Sequence, residues 1–367
     1  MKRREVFQDI CNHKTPEKVL IDLGGCPLSD LSQDAADGLY KLMGFEGEEA
    51  EKREKLFRAL DVDTRGVGCV IEPPSSLARR ISDTEYIDAW GVRRRFTGLY
   101  YDIVEYPLAN ATLKDLENYP WPDPDDIDPE VFDSVVRQAR RLHEETDYVV
   151  CASHPVYGIF ELGCWMVGFE EFMVRMALDE EFVHRFFEIV LNYQKRVIER
   201  YYPPLAPYID YTSSGDDFAT QSSLFISPSM FEEFVAPYFK ERIDCTKRVC
   251  GAKYLHHSCG NVSRLIPQLM ACGVEILNPI QPTGEDMRPA RLKAAFGNQI
   301  VFHGGLDTQS VLPGGTEESV RESVFALLDA MQPGGGYIFA AAHNLQGDVP
   351  PENIVAMFKA ARAWQGK

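Results

Sequence analysis

The chain is short of positive charge. Its 38 Lys and Arg stand against 56 Asp and Glu in 367 residues, a formal net charge of −18. A nucleic-acid surface needs clustered cations to displace counterions, so nucleic acid is not expected as a partner. The same deficit disfavours anionic membranes, and no apolar run approaches the roughly 20 residues of a spanning helix. Met1, Lys2, Arg3 and Arg4 begin like a secretion signal, but Glu5, Gln8 and Asp9 follow, so no export signal is expected. No Cys-x-x-Cys pair occurs, and the nine cysteines are an odd number in a long chain. A disulfide framework is therefore not expected, and most of the thiols read as buried groups of a cytoplasmic protein. Internal repeats and low-complexity stretches are also missing. What remains is an ordinary globular composition, 45% hydrophobic and 26% charged, long enough for one barrel-sized domain or two smaller ones.

The second half alternates two kinds of signal. Short apolar or β-branched runs fall at 148–151, 208–212, 253–257, 275–277, 300–302 and 337–341. Helical patterns lie between and after them, at 169–201, 228–249, 262–271, 288–295, 317–331 and 351–364. Such alternation reads as repeated βα units around a parallel sheet. Residues 19–25 add an earlier strand with a glycine turn, giving seven candidates, one short of a (β/α)8 barrel. A doubly wound sheet is the rival. Asp216, Cys259, Asn278, His303 and His343 stand at or just past strand C-terminal ends. Barrel active sites are assembled there, which favours the (β/α)8 TIM barrel. The first part is less regular: helices at 28–43 and 48–60, then short strands at 69–71 and from Asp88 to Ile103, suggesting a helical and hairpin cap over the barrel mouth. The proline-rich stretch 119–126 cannot be helical and reads as a joint. The expected layout is one domain, 1–367, with 1–125 as cap and first strand and 126–367 as main barrel.

The segment Tyr254, Leu255, His256, His257, Ser258, Cys259, Gly260, Asn261 carries the strongest chemical signal. A strand ending in His-x-Cys-Gly presents an imidazole and a thiol on one side, because side chains alternate with period two. Both are good zinc ligands. His343, after the small-residue run 340–342, is the best third ligand, and His303 is the second candidate. Three ligands with a vacant fourth position is the arrangement of catalytic zinc. The plain alternative is a chance His-x-Cys pair and hydrogen-bonded structural histidines. Asp216 and Asp217 read as general acid/base groups or orienters of a zinc-bound histidine, against a helix cap or solvated turn. Asn278, Gln281, His303 and Asp307 are expected to line a substrate pocket. His256 points opposite to His257 and reads as a wall residue, and Tyr157, Phe160 and Trp165 read as core more than pocket wall.

Taken in order, His257-Ser258-Cys259-Gly260-Asn261, Asn278-Pro279-Ile280-Gln281-Pro282, Phe302-His303-Gly304-Gly305-Leu306-Asp307, Gly334-Gly335-Gly336-Tyr337-Ile338, His343-Asn344 and Pro350-Pro351-Glu352-Asn353 resemble the uroporphyrinogen decarboxylase superfamily. That superfamily holds the haem-pathway decarboxylase and zinc-dependent methylcobamide:thiol methyltransferases. Asp88-Ala89-Trp90-Gly91-Val92 and 119–126 resemble the methyltransferase-like branch. The resemblance implies a (β/α)8 barrel with its pocket at the strand C-termini.

In the decarboxylases, the turn after the first barrel strand carries an arginine pair that grips substrate carboxylates. The corresponding turn, Leu23-Gly24-Gly25-Cys26-Pro27, has none. Arg79-Arg80 and Arg93-Arg94-Arg95 read as a solvated face rather than a substitute. The methyltransferases bind zinc through His-x-Cys and, near the last strand, a cysteine, where this chain has His343. The departure leaves a His/Cys/His zinc site, a different metal, or no metal. The resemblance thus implies Zn²⁺ through His257, Cys259 and His343, activating a thiol or a methyl donor. None of the eight histidines has an Asp two positions earlier, so no Asp-x-His-x-x-Gly corrinoid signature exists. The corrinoid is expected on a separate partner protein, and a homodimer is compatible with this layout. The alternatives are uroporphyrinogen decarboxylase, or a related decarboxylase, and a non-catalytic ligand-binding barrel.

Overall fold

The protein is described by a computed structural model covering residues 1–98 and 100–365. Its frame is a curled parallel sheet of seven strands: β1 (Thr64–Val67), β6 (Val149–Ser153), β7 (Tyr211–Gly215), β8 (Lys253–His257), β9 (Ile276–Asn278), β10 (Val301–His303) and β11 (Tyr337–Ile338), paired in that order. Helices connect successive strands, as a parallel pairing requires. Between β1 and β6 a separate antiparallel sheet intervenes: β2 (Arg79–Ser82), β3 (Glu85–Ile87), β4 (Arg93–Phe96) and β5 (Tyr101–Glu105).

Six of the seven expected strands appear where the apolar runs placed them. The seventh does not. Residues 19–25 form no ladder, only a parallel bridge from Ile21 to Phe339. The backbone there still bonds to both sides. Phe339 N donates to Leu20 O (3.0 Å) and Asp63 N, just before β1, donates to Ile21 O (2.9 Å). Both edges of the sheet therefore reach one short segment, an arrangement consistent with a TIM-like barrel, although an eighth strand in the ladder sense is not formed. The reason is local: the Asp22 carboxylate accepts from Gly25 N (3.0 Å), folding the chain into a turn straight after Asp22, and Pro27 has no N–H to give.

The seventh strand of the sheet, β1, has no pattern in the sequence. Thr64-Arg65-Gly66-Val67 has neither alternation nor an apolar run. Arg65 is buried through its ion pair with Glu54 (2.9 Å) and its stacking on Tyr148 (3.8 Å). Gly66 lies so close to the first turn that a Cβ there would meet Gly24 O at 2.5 Å. The expected strand at 69–71 is irregular chain, the two-strand hairpin is a four-strand sheet, and the long helix breaks at Asp179 into Phe169–Leu178 and Glu180–Leu205. The joint at 119–126 holds one 3-10 turn, Pro124–Asp126, with Pro at its first position.

Two apolar layers hold the frame. Inside the curl, Leu20, Val149, Tyr211, Leu255, Ile276 and Ile338 are almost fully buried. The helix Arg3–Cys11 seals their N-terminal end with Val6, Phe7 and Ile10, and Phe7 stacks on Tyr211 at 5.4 Å. Outside, the strands pack on helices such as Glu180–Leu205, whose Phe182, Phe186, Val190, Val197 and Tyr201 keep helical spacing on one face. With the bottom plugged, the polar residues of the strand C-terminal ends collect at the other end.

Candidate metal centre

Strand β8 alternates as its sequence implies. Leu255 and His257 face the interior, while Tyr254 and His256 belong to the outer layer. His256 accepts or donates at Ser214 Oγ (3.1 Å) and stacks against Phe218, so it is a wall residue. Past the strand end the chain turns at Gly260, whose φ of +83° suits glycine, and a Cβ there would collide with Thr220 O. This turn returns Cys259 beside His257: Cys259 Sγ lies 3.3 Å from His257 Nε2. His343, beyond β11, joins them, with its ring 5.6 Å from that of His257. The ligand atoms of His257, Cys259 and His343 all lie within 4.8 Å of one another. Zinc–nitrogen and zinc–sulfur bonds of roughly 2.0 and 2.3 Å put tetrahedral N and S ligands roughly 3.5 Å apart, so a small contraction suits the ion.

Behind His257 runs a buried hydrogen-bond chain. His257 Nδ1 meets Asn278 Oδ1 (2.5 Å), Asn278 Nδ2 meets His303 Nδ1 (2.7 Å), and His303 Nε2 meets Asp22 Oδ2 (2.8 Å). The amide fixes the direction of every proton. An amide oxygen only accepts, so His257 Nδ1 donates; an amide nitrogen only donates, so His303 Nδ1 accepts and its Nε2–H donates to Asp22. The result is that His257 Nε2 carries a free lone pair, aimed at the sulfur of Cys259. Second-layer partners of this kind orient metal-binding imidazoles.

Asp22 anchors the chain. It is fully buried and also accepts from Ser29 Oγ (2.5 Å) and from Thr64 Oγ1. Burial alone would raise its pKa; the hydrogen bond from His303 and those from Ser29 and Thr64 outweigh it and hold the carboxyl below its ordinary value.

The other carboxylates divide by role. Asp217 Oδ1 accepts from Cys259 N (2.7 Å) and lies 3.8 Å from His257 Nε2. Asp216 is fully buried, and its two oxygens accept from Phe160 N (3.0 Å) and Glu161 N (2.8 Å). It thereby caps the helix Ile159–Val167, whose own N-cap, Gly158, has no side chain. Burial pushes the Asp216 carboxyl up to about 6, against the nearby Arg242 charge and these two N–H donors. Glu161 sits well above its usual value, first through burial and then through the charges of Asp217 and Asp216.

Without a metal, the ligands hold their neutral forms. Burial pushes the Cys259 thiol up to about 12, with the Asp217 charge adding to it. Burial lowers His257, and burial together with His257 brings His343 down to about 4.

A cavity of about 400 Å³ opens onto His257 and His343, with Glu161, Asp217, Tyr157 and Trp165 in its wall. Phe160, fully buried, belongs to the core instead. A larger hollow of about 670 Å³, around Leu42, Leu60 and Phe358, offers no His or Cys and lies apart from the strand ends. Gln281 braces the cysteine turn: its Oε1 accepts from Gly260 N (2.8 Å) and its Nε2 donates to Cys259 Sγ (3.4 Å). Asn278 and His303 thus lie behind the ligands, while Asp307 is apart, its carboxylate accepting from Gln309 N (2.6 Å) and Ser310 N (3.1 Å) of its own turn. Two residues escaped the sequence reading, Asp22 and Glu161. Each is a lone acid in an otherwise apolar element, Val19 to Leu23 and Ile159–Val167, and that was the available signal.

A methyltransferase from Methanosarcina mazei is similar in fold over 98% of both chains, with a TM-score of 0.62 at 14% identity. Uroporphyrinogen decarboxylase from Psychromonas ingrahamii is 23% identical over 279 residues, 70% of this chain and 71% of the relative. Uroporphyrinogen decarboxylase 2, chloroplastic, from Oryza sativa subsp. japonica is 24% identical over 176 residues, 45% of this chain but only 42% of that protein's length. The model of the family described as uroporphyrinogen decarboxylase (URO-D) matches residues 101–364. With the match covering most of the chain, the protein belongs to the uroporphyrinogen decarboxylase family.

Proposed function

We propose that the protein is a zinc-dependent methyltransferase working with a corrinoid carried by a separate protein. The observation that carries this reading is the convergence of His257, Cys259 and His343, with the free lone pair of His257 Nε2 directed into the cluster. Bound zinc would lower the pKa of a thiol at its open position, making a thiolate available near neutral pH. The rest falls to the chain. Asn278 and His303 keep His257 in the ligating tautomer, and Gln281 with Asp217 holds the cysteine turn. Asp217, next to the open side of the cluster, is the group suited to take a proton from an incoming thiol. Asp216 positions the helix that carries Glu161. The reading treats 1–367 as one catalytic unit, with 1–125 as cap and first strand and 126–367 as main barrel; the small antiparallel sheet touches the cavity wall where Arg94 stacks on Trp165 at 4.9 Å.

The names of the curated relatives favour a second reading, porphyrinogen decarboxylation. Against it, no Lys or Arg among the described residues lines the cavity, and each carboxylate of such a substrate would need a cationic or hydrogen-bonding partner. The test is metal analysis of the purified protein, then methyl transfer from free methylcobalamin to small thiols, followed by cobalamin absorbance. About one zinc per chain, lost in Cys259→Ala, with methyl transfer dependent on it, is the expected result. Metal-free turnover of a porphyrinogen would overturn it, and a zinc site with four protein ligands and no exchangeable position would point to a non-catalytic barrel.

A further inference from the structure

The cavity in front of the metal cluster is walled mostly by uncharged groups. Leu28, Val70, Val156, Tyr157 and Trp165 form its apolar side. Three serines and His154 add hydrogen-bonding groups without charge, because burial, followed by the Arg242 and His256 charges, holds His154 well below its usual value. Among the described residues no Lys or Arg lines it. Of its two acids, Asp217 is committed to Cys259 N (2.7 Å). Burial, then the charges of Asp217 and Asp216, pushes the Glu161 carboxyl well above its usual value, while Asp217 N donates to it and the Arg242 charge acts in the opposite sense. Arg242 itself is not part of the lining; its Nη1 donates to Tyr157 O (3.0 Å). A charge on the body of a guest, of either sign, is therefore stripped of water there without a free counter-charge to meet it.

The apolar side has a definite shape. Tyr157 and Trp165 meet edge to face, with ring centroids 5.1 Å apart and planes 75° apart. Groups that do not line the cavity brace the pair. The Tyr157 hydroxyl donates to Glu72, and Arg94, its charge met by Asp88 at 2.9 Å, covers Trp165 at 4.9 Å. Both rings nevertheless remain only half-buried. Two fixed rings at a steep angle form a corner, and such a corner offers a third ring a face on one side and an edge on the other. A hollow of roughly 150 Å³ is enough for a benzene ring. This one, at about 400 Å³, also has room for substituents and for the span to His257 and His343.

We infer that the guest of this cavity is an uncharged aromatic molecule, its ring in the corner of Tyr157 and Trp165 and its sulfur or ether oxygen toward His257 and His343. The heteroatom half rests on the proposed zinc chemistry; the ring half rests on the cavity alone. Trp165 is then a specificity-determining residue.

On the metal-free protein at neutral pH, four probes of similar size separate ring from charge: benzyl alcohol, cyclohexylmethanol, benzoate and benzylamine in its ammonium form. Binding is followed on the indole N–H resonance of Trp165, assigned by its loss in Trp165→Phe, so that occupancy of the hollow around Leu42 and Phe358 is not counted. Benzyl alcohol is expected to bind about three- to tenfold tighter than cyclohexylmethanol and about tenfold or more tighter than either ion. In Trp165→Leu, which keeps an apolar side chain without a ring, calorimetry is expected to show the preference over cyclohexylmethanol lost. No resonance shift with benzyl alcohol, equal affinity for the saturated ring, or tighter binding of either ion would overturn the inference, and these comparisons use the native protein. The heteroatom half is read on the cobalt-substituted form by thiolate-to-metal absorbance. Benzyl mercaptan is expected to bind about tenfold or more tighter than 2-mercaptoethanol, and equal affinities would overturn that half. Should the protein take up no metal, the zinc reading fails by itself, and the metal-free comparison still decides the ring half.

Discussion

His303 Nε2 lies 2.8 Å from Asp22 Oδ2, joining residues 281 positions apart where neither side chain is exposed. Through this contact the turn after Asp22 accepts the Nε2–H of a histidine two strands away. Asp22→Asn keeps the shape but turns an acceptor-only group into one that also donates. The loss of a buried charged hydrogen bond is expected to cost about 3–5 kcal/mol of unfolding free energy at neutral pH, read by denaturant titration. Because the native carboxyl lies below its unfolded value, its contribution is fully present above about pH 4 and is lost as pH falls further toward the native value. The difference between wild type and variant should therefore shrink only in acid. A constant difference down to the lowest measurable pH would contradict the anchor role.

Asn278→Ala cuts the chain in its middle. His257 Nδ1 loses its acceptor and becomes free to adopt either tautomer. Zinc affinity is expected to fall about 10- to 100-fold, the usual consequence of losing such a partner, while Asn278→Asp restores an acceptor for His257 but opposes His303. A chelator competition on both variants checks this, and unchanged affinity in Asn278→Ala would show that the amide does not orient the ligand.

Metal uptake should itself depend on pH in a defined direction. Between about pH 5 and 9 the buried thiol, pushed up to about 12, is protonated, and the imidazole of His343, brought down to about 4, is neutral. Binding a divalent ion then releases one proton, from Cys259. Apparent affinity should rise about tenfold per pH unit across this interval. A flat profile would remove Cys259 from the ligand set.

Asp216 should leave an opposite mark on stability. Its carboxyl is raised to about 6 in the fold, against about 3.9 in the unfolded chain. The native state therefore holds the extra proton between those values, and the contribution of this group falls as pH rises from about 4 to about 6. Asp216→Asn should flatten that part of the stability profile, at a cost of about 1 kcal/mol or more at the helix cap. Parallel profiles for wild type and variant would count against a carboxyl raised by burial.

Gly260→Ala tests the turn. A methyl group cannot sit at φ +83° against Thr220 O without moving the backbone. An expected loss of about 1–3 kcal/mol should come with weakened zinc binding, because the same shift carries Cys259 away from His257. Normal metal affinity in a destabilised variant would separate the turn from the site.

The parts of this protein that were legible in its sequence share a cause. β6, β9, β10 and β11 are short apolar runs buried on both faces, and β8 keeps strand alternation up to His257, so pattern and structure coincide there, whereas β7, polar over Thr212 to Gly215, shares only Tyr211 and Thr212 with its apolar run. β1 was illegible because its stability comes from Arg65 against Glu54 and Tyr148 and from Gly66 beneath a turn, none of which produces a periodic pattern. Residues 19–25 misled for the opposite reason: the run is apolar because it is buried, yet Asp22 bends it before a ladder can form. Asp216 and Asp217 carry one and the same reading in the sequence, and their division, Asp217 on Cys259 N and Asp216 on a helix start that Gly158 leaves without a side-chain cap, comes only with the folded chain. Glu161 gave little warning, since a single acid in an apolar helix is equally well a surface residue.

His257 and Asn278 stand opposite one another in the pairing of β8 with β9, which would tie the release of an ion held by His257 to the sheet itself. A shift of one position between these strands would turn Asn278 to the far side of the sheet and strand the imidazole without its acceptor. Affinity for the ion is thus a gauge of strand alignment, and ion release on heating should coincide with melting of the sheet rather than precede it.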